Sequence, residues 1–337
     1  MRAYVVPSGC TSIDDLRRVE RPDPHARTGQ VLVRIRATSL NSRDQAVVAG
    51  TYMGRPVTRD LIPLSDGAGE ITAVGEGVTR FKPGDRVATV YSQTPPDALP
   101  FAERASLGSP LDGVLVEHVA LYEDGLVLIP ASLSFEDAAC LPVAAVTAWH
   151  ALMNAGKPVG PGDTVLVLGT GGVSIFALQF ATAAGARVIA TSSSDEKLER
   201  VKALGASDGV NYLRSPAWHK EVLKLTSGRG VDCVIEVGGA GTLERSFASL
   251  ATGGKVALIG VLTGRSAEIN PYSLMWKEGT LHGIRVGDAR QFEQMNRAIE
   301  TNGIRPVIDR IFPFDEAVAA YHHQKSGTFV GKVVITT

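Results

Sequence analysis

Apolar and polar positions alternate in short runs along the first third of the chain. QVLVRIRAT (30–38) and GVLVEHVAL (113–121) place aliphatic residues at every second position, the period of a strand with one buried face. Between them, PLSDGAGEITAVGEGVTRFKPGDRV (63–87) sets Gly67, Gly69, Gly75 and Gly77 around the alternating segment EITAVGEGV. A dinucleotide cradle needs a buried strand before its glycines and a helix after them, and this stretch has neither. Its glycines suit bulges, a turn and close backbone approach in curved β structure.

From about Asp163 the rhythm changes. TVLVLG reads as a buried strand, GVSIFALQFATAAG as a helix, RVIAT as a strand and DEKLERVKALGA as a helix. GVNY, VDCVIEV, KVALIG and LHGI continue the series, with helices around EVLKLT and TLERSFASLA, so six strands of a parallel sheet are expected. The last fifty residues give a helix (QFEQMNRAIETNG), IDRIFPF, a second helix (FDEAVAAYHHQ) and a closing strand GKVVIT, a tail expected to return to the β-rich part. The expected fold class is α/β, a doubly wound parallel sheet plus a β-rich domain. The boundaries read as 1–128 for the first part of the β-rich domain, 129–284 for the parallel-sheet domain and 285–337 for the returning segment. Residues 95–113 are the least regular stretch and read as a loop shaping the substrate pocket.

Bulk properties narrow the function. A length of 337 residues favours two domains, and a net charge of −1 with both signs well mixed provides no basic field for nucleic acid or anionic lipid. No apolar run approaches the roughly 20 residues that span a bilayer, and Met1 leads directly into a mixed strand, so a cytosolic protein without a membrane partner is expected. Cys10, Cys140 and Cys233 lie far apart without a CxxC pair and read as small buried hydrophobes.

Candidate chemistry begins at TVLVLGTGGVSIFALQF. Gly169, Thr170, Gly171, Gly172 and Val173 form a turn between a buried strand and a helix, the context in which glycines bind a pyrophosphate at a helix N-terminus. Ser174 stands where the fingerprint's third glycine packs helix against strand. The second strand ends in TSSSDEKLER, where an acid would accept from the 2′-hydroxyl of an NADH ribose. Ser192 and Ser193 can instead donate to a 2′-phosphate, with Lys197 and Arg200 close by, so the expected cofactor is NADPH. A second role fits the same run: Ser193 and Glu196 have capping-box spacing, and Asp195 suits the helix dipole.

Taken together, GAGEITAVGEGVTRFKPGDRV, AVTAWHAL, GTGGVSIFALQFATAAGARVIAT, EVGG and GKVVI resemble the medium-chain dehydrogenase/reductases over essentially the whole chain, in particular their zinc-less quinone oxidoreductase-like and zinc-less alcohol dehydrogenase-like branch. The resemblance implies a GroES-like catalytic domain beside a Rossmann domain, a site in the cleft at the C-terminal edge of the sheet, and a homodimer with LHGI or KVALIG as the edge. Zinc alcohol dehydrogenases of that superfamily carry a His-Glu pair where this chain has Ser65 and Asp66, a cysteine near Asn41, and four clustered cysteines for a second zinc, so no metal is expected. The resemblance also places Asn41, Asp44, Tyr52 and Thr147 near the nicotinamide. Asn41 would donate to the substrate carbonyl or the nicotinamide ribose, Tyr52 would donate a proton or wall the pocket, and Asp44 would act there or anchor its loop. Tyr212 would flank the 2′-phosphate, and Gly238, Gly260 and Val261 would line the cofactor. Many quinone reductases carry a tyrosine two residues after the acid, where this chain has Ala46.

The implied activity is metal-independent hydride transfer from NADPH to a small electrophilic acceptor, a quinone or an α,β-unsaturated carbonyl compound. An alcohol dehydrogenase without zinc and a non-catalytic dinucleotide-binding redox sensor are the rivals. His118, His150, His322 and His323 carry no ligand spacing and are assigned no ligand role.

Overall fold

A computed structural model describes residues 1–93 and 105–337, so positions 95–104 of the expected pocket loop lie outside the described residues. The chain divides into two compact units, Met1–Val146 with Gly287–Thr337, and Thr147–Val286.

In the first unit β1 (Arg2–Val5) pairs antiparallel with β2 (Arg17–Glu20). The next strands are β3 (Gln30–Ser39), β4 (Asp66–Val74) and β5 (Arg86–Thr89), with helix α1 (Ser42–Val48) between β3 and β4. The glycines of β4 are required by its neighbour: a Cβ at Gly69 would stand 2.1 Å from the Arg34 carbonyl oxygen, and the β3–β4 register shifts twice, as bulges require. After the short pair β6 (Ser92–Gln93) and β7 (Ala105–Ser106) come β8 (His118–Tyr122) and β9 (Leu126–Leu128). The strand expected over 113–121 is thus ordered as β8 only from His118. Gly113 lies against Leu64, where a Cβ would meet the carbonyl oxygen at 2.0 Å, and this close crossing takes the place of ladder pairing.

Residues 129–146, grouped by pattern with the dinucleotide domain, belong to the first unit. Arg86 donates to the Leu133 carbonyl at 2.6 Å, the Ser39 hydroxyl to that of Ala139 at 2.7 Å, and Val143 N–H to Asp66 at 3.2 Å. Helix α2 (Phe135–Ala139) and a π turn (Leu141–Ala145) are held to the β sheet by these bonds.

The second unit opens at Thr147, within α3 (Val146–Trp149), and a second π turn (His150–Asn154) follows. It continues β10 (Thr164–Leu168), α4 (Gly172–Ala183), β11 (Arg187–Ser192), α5 (Asp195–Ala203), β12 (Asp208–Asn211), α6 (Trp218–Leu225), β13 (Val231–Glu236), α7 (Leu243–Ala248), β14 (Leu250–Leu258), α8 (Tyr272–Trp276) and β15 (Thr280–Gly283). All neighbouring strands are parallel and ordered β12-β11-β10-β13-β14-β15, the doubly wound arrangement. Of the two segments weighed as an edge, KVALIG lies in interior β14 and LHGI lies in outer β15.

The chain then returns to the first unit with α9 (Ala289–Asn302), closed by left-handed Gly303 at φ 61°, then β16 (Ile308–Pro313), α10 (Ala317–Lys325) and β17 (Lys332–Thr336). β17 pairs with β3, completing a seven-stranded sheet over a core that includes Ile35, Leu40, Leu64, Ile71 and Tyr321. No helix among the described residues is long and apolar enough to cross a membrane.

Candidate active site

Strand β10 is buried throughout and delivers the chain to Gly169, whose φ of 76° a side chain would strain. Gly171 is the N-cap of α4 and offers no side chain to the first-turn N–H groups, which include those of Gly172 and Val173. A Cβ built at Gly169 or Gly171 would meet nothing within 4 Å. Open space in front of unsatisfied amides at a positive helix end suits a pyrophosphate. Thr170 is buried in the turn, and the Ser174 hydroxyl donates to the Leu168 carbonyl at 2.7 Å, tying helix to strand at the position of the missing third glycine.

The structure gathers Ser192, Ser193, Asp195 and Tyr212 at the C-terminal ends of β11 and β12. Ser192 is buried, its Oγ accepts from Ser194 N–H at 3.2 Å, and its carbonyl accepts from Tyr212 N–H at 3.0 Å. Ser193 is exposed, and Tyr212 is partly so. The expected Ser193–Glu196 capping box is not what forms. Ser194 is the N-cap of α5 and accepts from Lys197 N–H at 3.3 Å, because β11 runs to Ser192 and the turn into the helix begins one residue later. Asp195 is held by Asn211 Nδ2 at 2.7 Å and by an ion pair with Arg214, whose side chain is 75% exposed. Arg214 was missed by pattern; its only signal is an arginine closely following the third strand, in GVNYLR.

Behind these ends the EVGG motif forms a locked loop. Glu236 is fully buried and accepts from Gly238 N–H at 2.7 Å, Gly239 N–H at 3.0 Å, the Thr242 hydroxyl at 2.7 Å and the Ser246 hydroxyl. Thr263 joins this loop to the Gly260–Val261 turn: its N–H donates to the Gly238 carbonyl at 2.7 Å, and its hydroxyl accepts from Gly241 N–H at 2.9 Å. Val261 stands half exposed at the rim. Thr147 is buried in α3 and is placed at the nicotinamide by the resemblance alone.

In the first unit, Asn41 begins α1 directly after β3, and its N–H donates to Asp44 Oδ2 at 2.7 Å. Asp44 is nearly inaccessible; burial pushes its carboxyl up to about 6, against the opposing pull of the nearby Arg43 guanidinium. The Asn41 Oδ1 accepts from the Lys332 ammonium at 2.7 Å, and Asp66 Oδ2 lies 3.6 Å from the same ammonium. Tyr52 is positioned by a neighbouring cluster: its hydroxyl lies 3.0 Å from that of Tyr91, and the Arg43 guanidinium sits 4.6 Å from one ring and 5.0 Å from the other. Arg43 and Tyr91 carried no local motif, and GKVVI around Lys332 gave no indication of the lysine's role. Three of these histidines have protein partners: His150 Nδ1 lies 2.7 Å from the Val286 carbonyl, and His322 and His323 pair with Asp14 and Asp309, whereas His118 Nδ1 is buried with no hydrogen-bond partner among the described residues.

Two family descriptions match these units: an alcohol dehydrogenase GroES-like domain over residues 27–131 and a zinc-binding dehydrogenase over 172–301. The chain is 44% identical to a zinc-type alcohol dehydrogenase-like protein of Schizosaccharomyces pombe, over 98% of both chains. The chain belongs to the medium-chain dehydrogenase/reductase superfamily. Within it, the quinone oxidoreductase of Sus scrofa is 30% identical, over 93% of this chain and 90% of the other. Among solved structures, an NAD-dependent alcohol dehydrogenase superposes with a TM-score of 0.92 at 32% identity, and a mycobacterial protein complexed with NADPH with 0.84 at 28%, each covering both chains completely.

Membership in this superfamily raises the question of zinc. Where its zinc enzymes place ligands, this chain has Asn41 Oδ1 and Asp66 Oδ2 facing a lysine ammonium, and a Ser65 hydroxyl donating to Asp66 Oδ1 at 2.8 Å. A cationic group already engages the best oxygens, and among the described residues no imidazole or thiolate joins them in a metal-holding cluster. No cluster of three or more His, Cys, Asp or Glu able to hold a metal occurs among the described residues. The donor set does not fit zinc.

Proposed function

We propose that this medium-chain oxidoreductase reduces quinones or α,β-unsaturated carbonyl compounds with NADPH and without a metal. The observation that carries the reading is the Asn41 amide: a buried Nδ2 with no hydrogen-bond partner among the described residues, where zinc enzymes of the superfamily have ligand chemistry. The nicotinamide would supply the hydride. Asn41 would donate to the oxygen on which charge develops, replacing a Lewis acid with a fixed hydrogen bond. An acceptor whose charge spreads into an enolate or quinol needs less help than a simple alkoxide. Tyr52 and Tyr91 would wall the acceptor, with Arg43 stacked on both rings to hold them.

Preference for NADPH is supported by the end of β11, where buried Ser192 and exposed Ser193 stand in place of an acid. Asp195, the nearest carboxylate in sequence, is engaged by Asn211 and Arg214, and Arg214 adds positive charge at the rim. The NADPH-complexed relative favours the same reading, and the NAD-dependent alcohol dehydrogenase favours the rival, alcohol oxidation. Following the absorbance of reduced nicotinamide against quinones, enones, alkenals and ketones tests the proposal. Fast consumption with enones or quinones is expected; turnover only in the direction of alcohol oxidation would replace it with the rival.

The same reading includes a homodimer. β15 is the outer strand of its sheet, with Leu281 42% exposed, and the preceding α8 exposes Met275 and Trp276. Light scattering should give twice the chain mass, and Leu281→Lys should lower it; a monomeric wild type would refute this.

A further inference from the structure

Lys332 is buried to 2% exposure, rare for a lysine. β17 carries it beneath the end of β3, where Val334 pairs with Ser39 and Leu40 N–H donates to the Val333 carbonyl at 3.0 Å. Its ammonium donates to the Leu40 carbonyl at 2.6 Å and to Asn41 Oδ1 at 2.7 Å. Asp66 supplies the counter-charge, itself fixed by the Ser65 hydroxyl and by Val143 N–H.

An ammonium has donors and no acceptor, so only the oxygen of the Asn41 amide can face it; the flipped amide would set NH₂ against NH₃⁺. The amide nitrogen is therefore turned away from Lys332. That nitrogen is buried and unpartnered among the described residues, so it keeps a donor for a further acceptor. Accepting from a cation also polarises the amide and strengthens its remaining N–H donor.

We infer that Lys332 is a positioning residue for the reaction: its ammonium locks the Asn41 amide with Nδ2 turned away from the lysine, presetting the donor that meets the developing oxyanion. The inference rests on the reading of Asn41 as that donor.

A double-mutant cycle on the full chain tests it, with the acceptor turned over fastest in the panel above. Lys332→Met is made together with Asp66→Asn, so that neither partner of the buried ion pair is left without its counter-charge. The cycle compares the unchanged chain, Asn41→Ala, this paired change and all three substitutions, with folding checked by circular dichroism and Asp66→Asn alone as a control. Asn41→Ala and the paired change are each expected to lower kcat by about a hundredfold, the scale of losing one oxyanion donor. The NADPH Kd should stay within about twofold, and the paired change should cost no more than about twofold once Asn41 is alanine. Losses that multiply, or a paired variant with unchanged kcat, would overturn the inference while leaving Asn41 as the donor. Unchanged kcat in Asn41→Ala would overturn the donor reading and the inference with it.

Discussion

Replacing Glu236 should separate the need for its charge from the need for its acceptors. The carboxylate ends β13 with no exposure and receives four donors, two of them the N–H groups of Gly238 and Gly239. Those glycines cannot move away easily: a Cβ at Gly238 would stand 2.3 Å from Thr242 Oγ1, and one at Gly239, where φ is 87°, would stand 2.8 Å from Val261 Cα. In Glu236→Ala the hydroxyls can turn, since Thr242 Oγ1 already lies 3.2 Å from the Gly239 carbonyl. The two backbone N–H groups have no such option and lose about 1–3 kcal/mol each, so about 4 kcal/mol of stability should disappear. Glu236→Gln keeps one acceptor oxygen for the N–H groups and turns its NH₂ toward Ser246. It keeps acceptor capacity at the cost of weaker bonds, and a net cost of about 1 kcal/mol is expected. Urea unfolding followed by tryptophan fluorescence measures both, and an NADPH titration reports the loop. Alanine should weaken NADPH binding at least tenfold more than glutamine does. Alanine within about 1 kcal/mol of wild type, or glutamine as damaging as alanine, would show that the loop does not depend on these acceptors.

Further outcomes follow from the other site residues. Ser192→Asp should reverse or flatten a preference for NADPH over NADH, by about 1–3 kcal/mol or roughly 5- to 150-fold in the ratio of kcat/KM, because a carboxylate there repels a 2′-phosphate and accepts from a 2′-hydroxyl; an unchanged ratio would mean that the serines do not read the ribose. The purified protein should carry no stoichiometric zinc, and a chelator should leave its rate unchanged; one tightly held zinc per chain by elemental analysis, with activity lost on its removal, would contradict the reading of Asn41, Ser65 and Asp66. Asp44 titrates at about 6 in the folded chain, above its ordinary value of 3.8, so the folded state holds the extra proton between these values and stability should fall as pH rises through that window. The full cost, about 3 kcal/mol, is present above about pH 6, and Asp44→Asn should remove this slope from a series of urea midpoints; parallel pH profiles for the two proteins would refute it.

The sequence pattern reached the secondary structure and the phosphate turn because both are local. A two-residue period, a strand of β-branched residues and a glycine turn into a helix each announce themselves within a few positions, and the parallel strands of the second unit follow from their alternation with helices. Local reading also missed by small steps. The cap of α5 shifted from Ser193 to Ser194 because a run of three serines satisfies the same rule in more than one register, and only the end of β11 selects among them. Residues 129–146 look like the approach to the Rossmann helices, yet Ser39, Asp66 and Arg86 bind them to the first unit.

The chemistry of Asn41 was harder to read for a different reason. Lys332 touches it from 291 residues away, and a sheet register brings the two together. The motif around Lys332 is no guide to what the lysine does, because the chain contains it twice. GGKVALIG and VGKVVIT both present Gly-Lys-Val, within β14 and at the start of β17, and both lysines are buried. Lys255 donates to the carbonyls of Leu152, Ala155 and Lys157 at 3.2, 2.6 and 2.8 Å, closing the end of a helical segment whose last acceptors would otherwise be unpaired. Lys332 donates to one carbonyl and to one side-chain amide. A lysine that meets only backbone oxygens completes the fold, and its loss should appear as instability alone. A lysine that also faces an amide decides which end of that amide is available to something else. Both lysines are buried in a Gly-Lys-Val context, and their partners, backbone carbonyls for one and a side-chain amide beside a carboxylate for the other, separate the structural lysine from the one that prepares a donor.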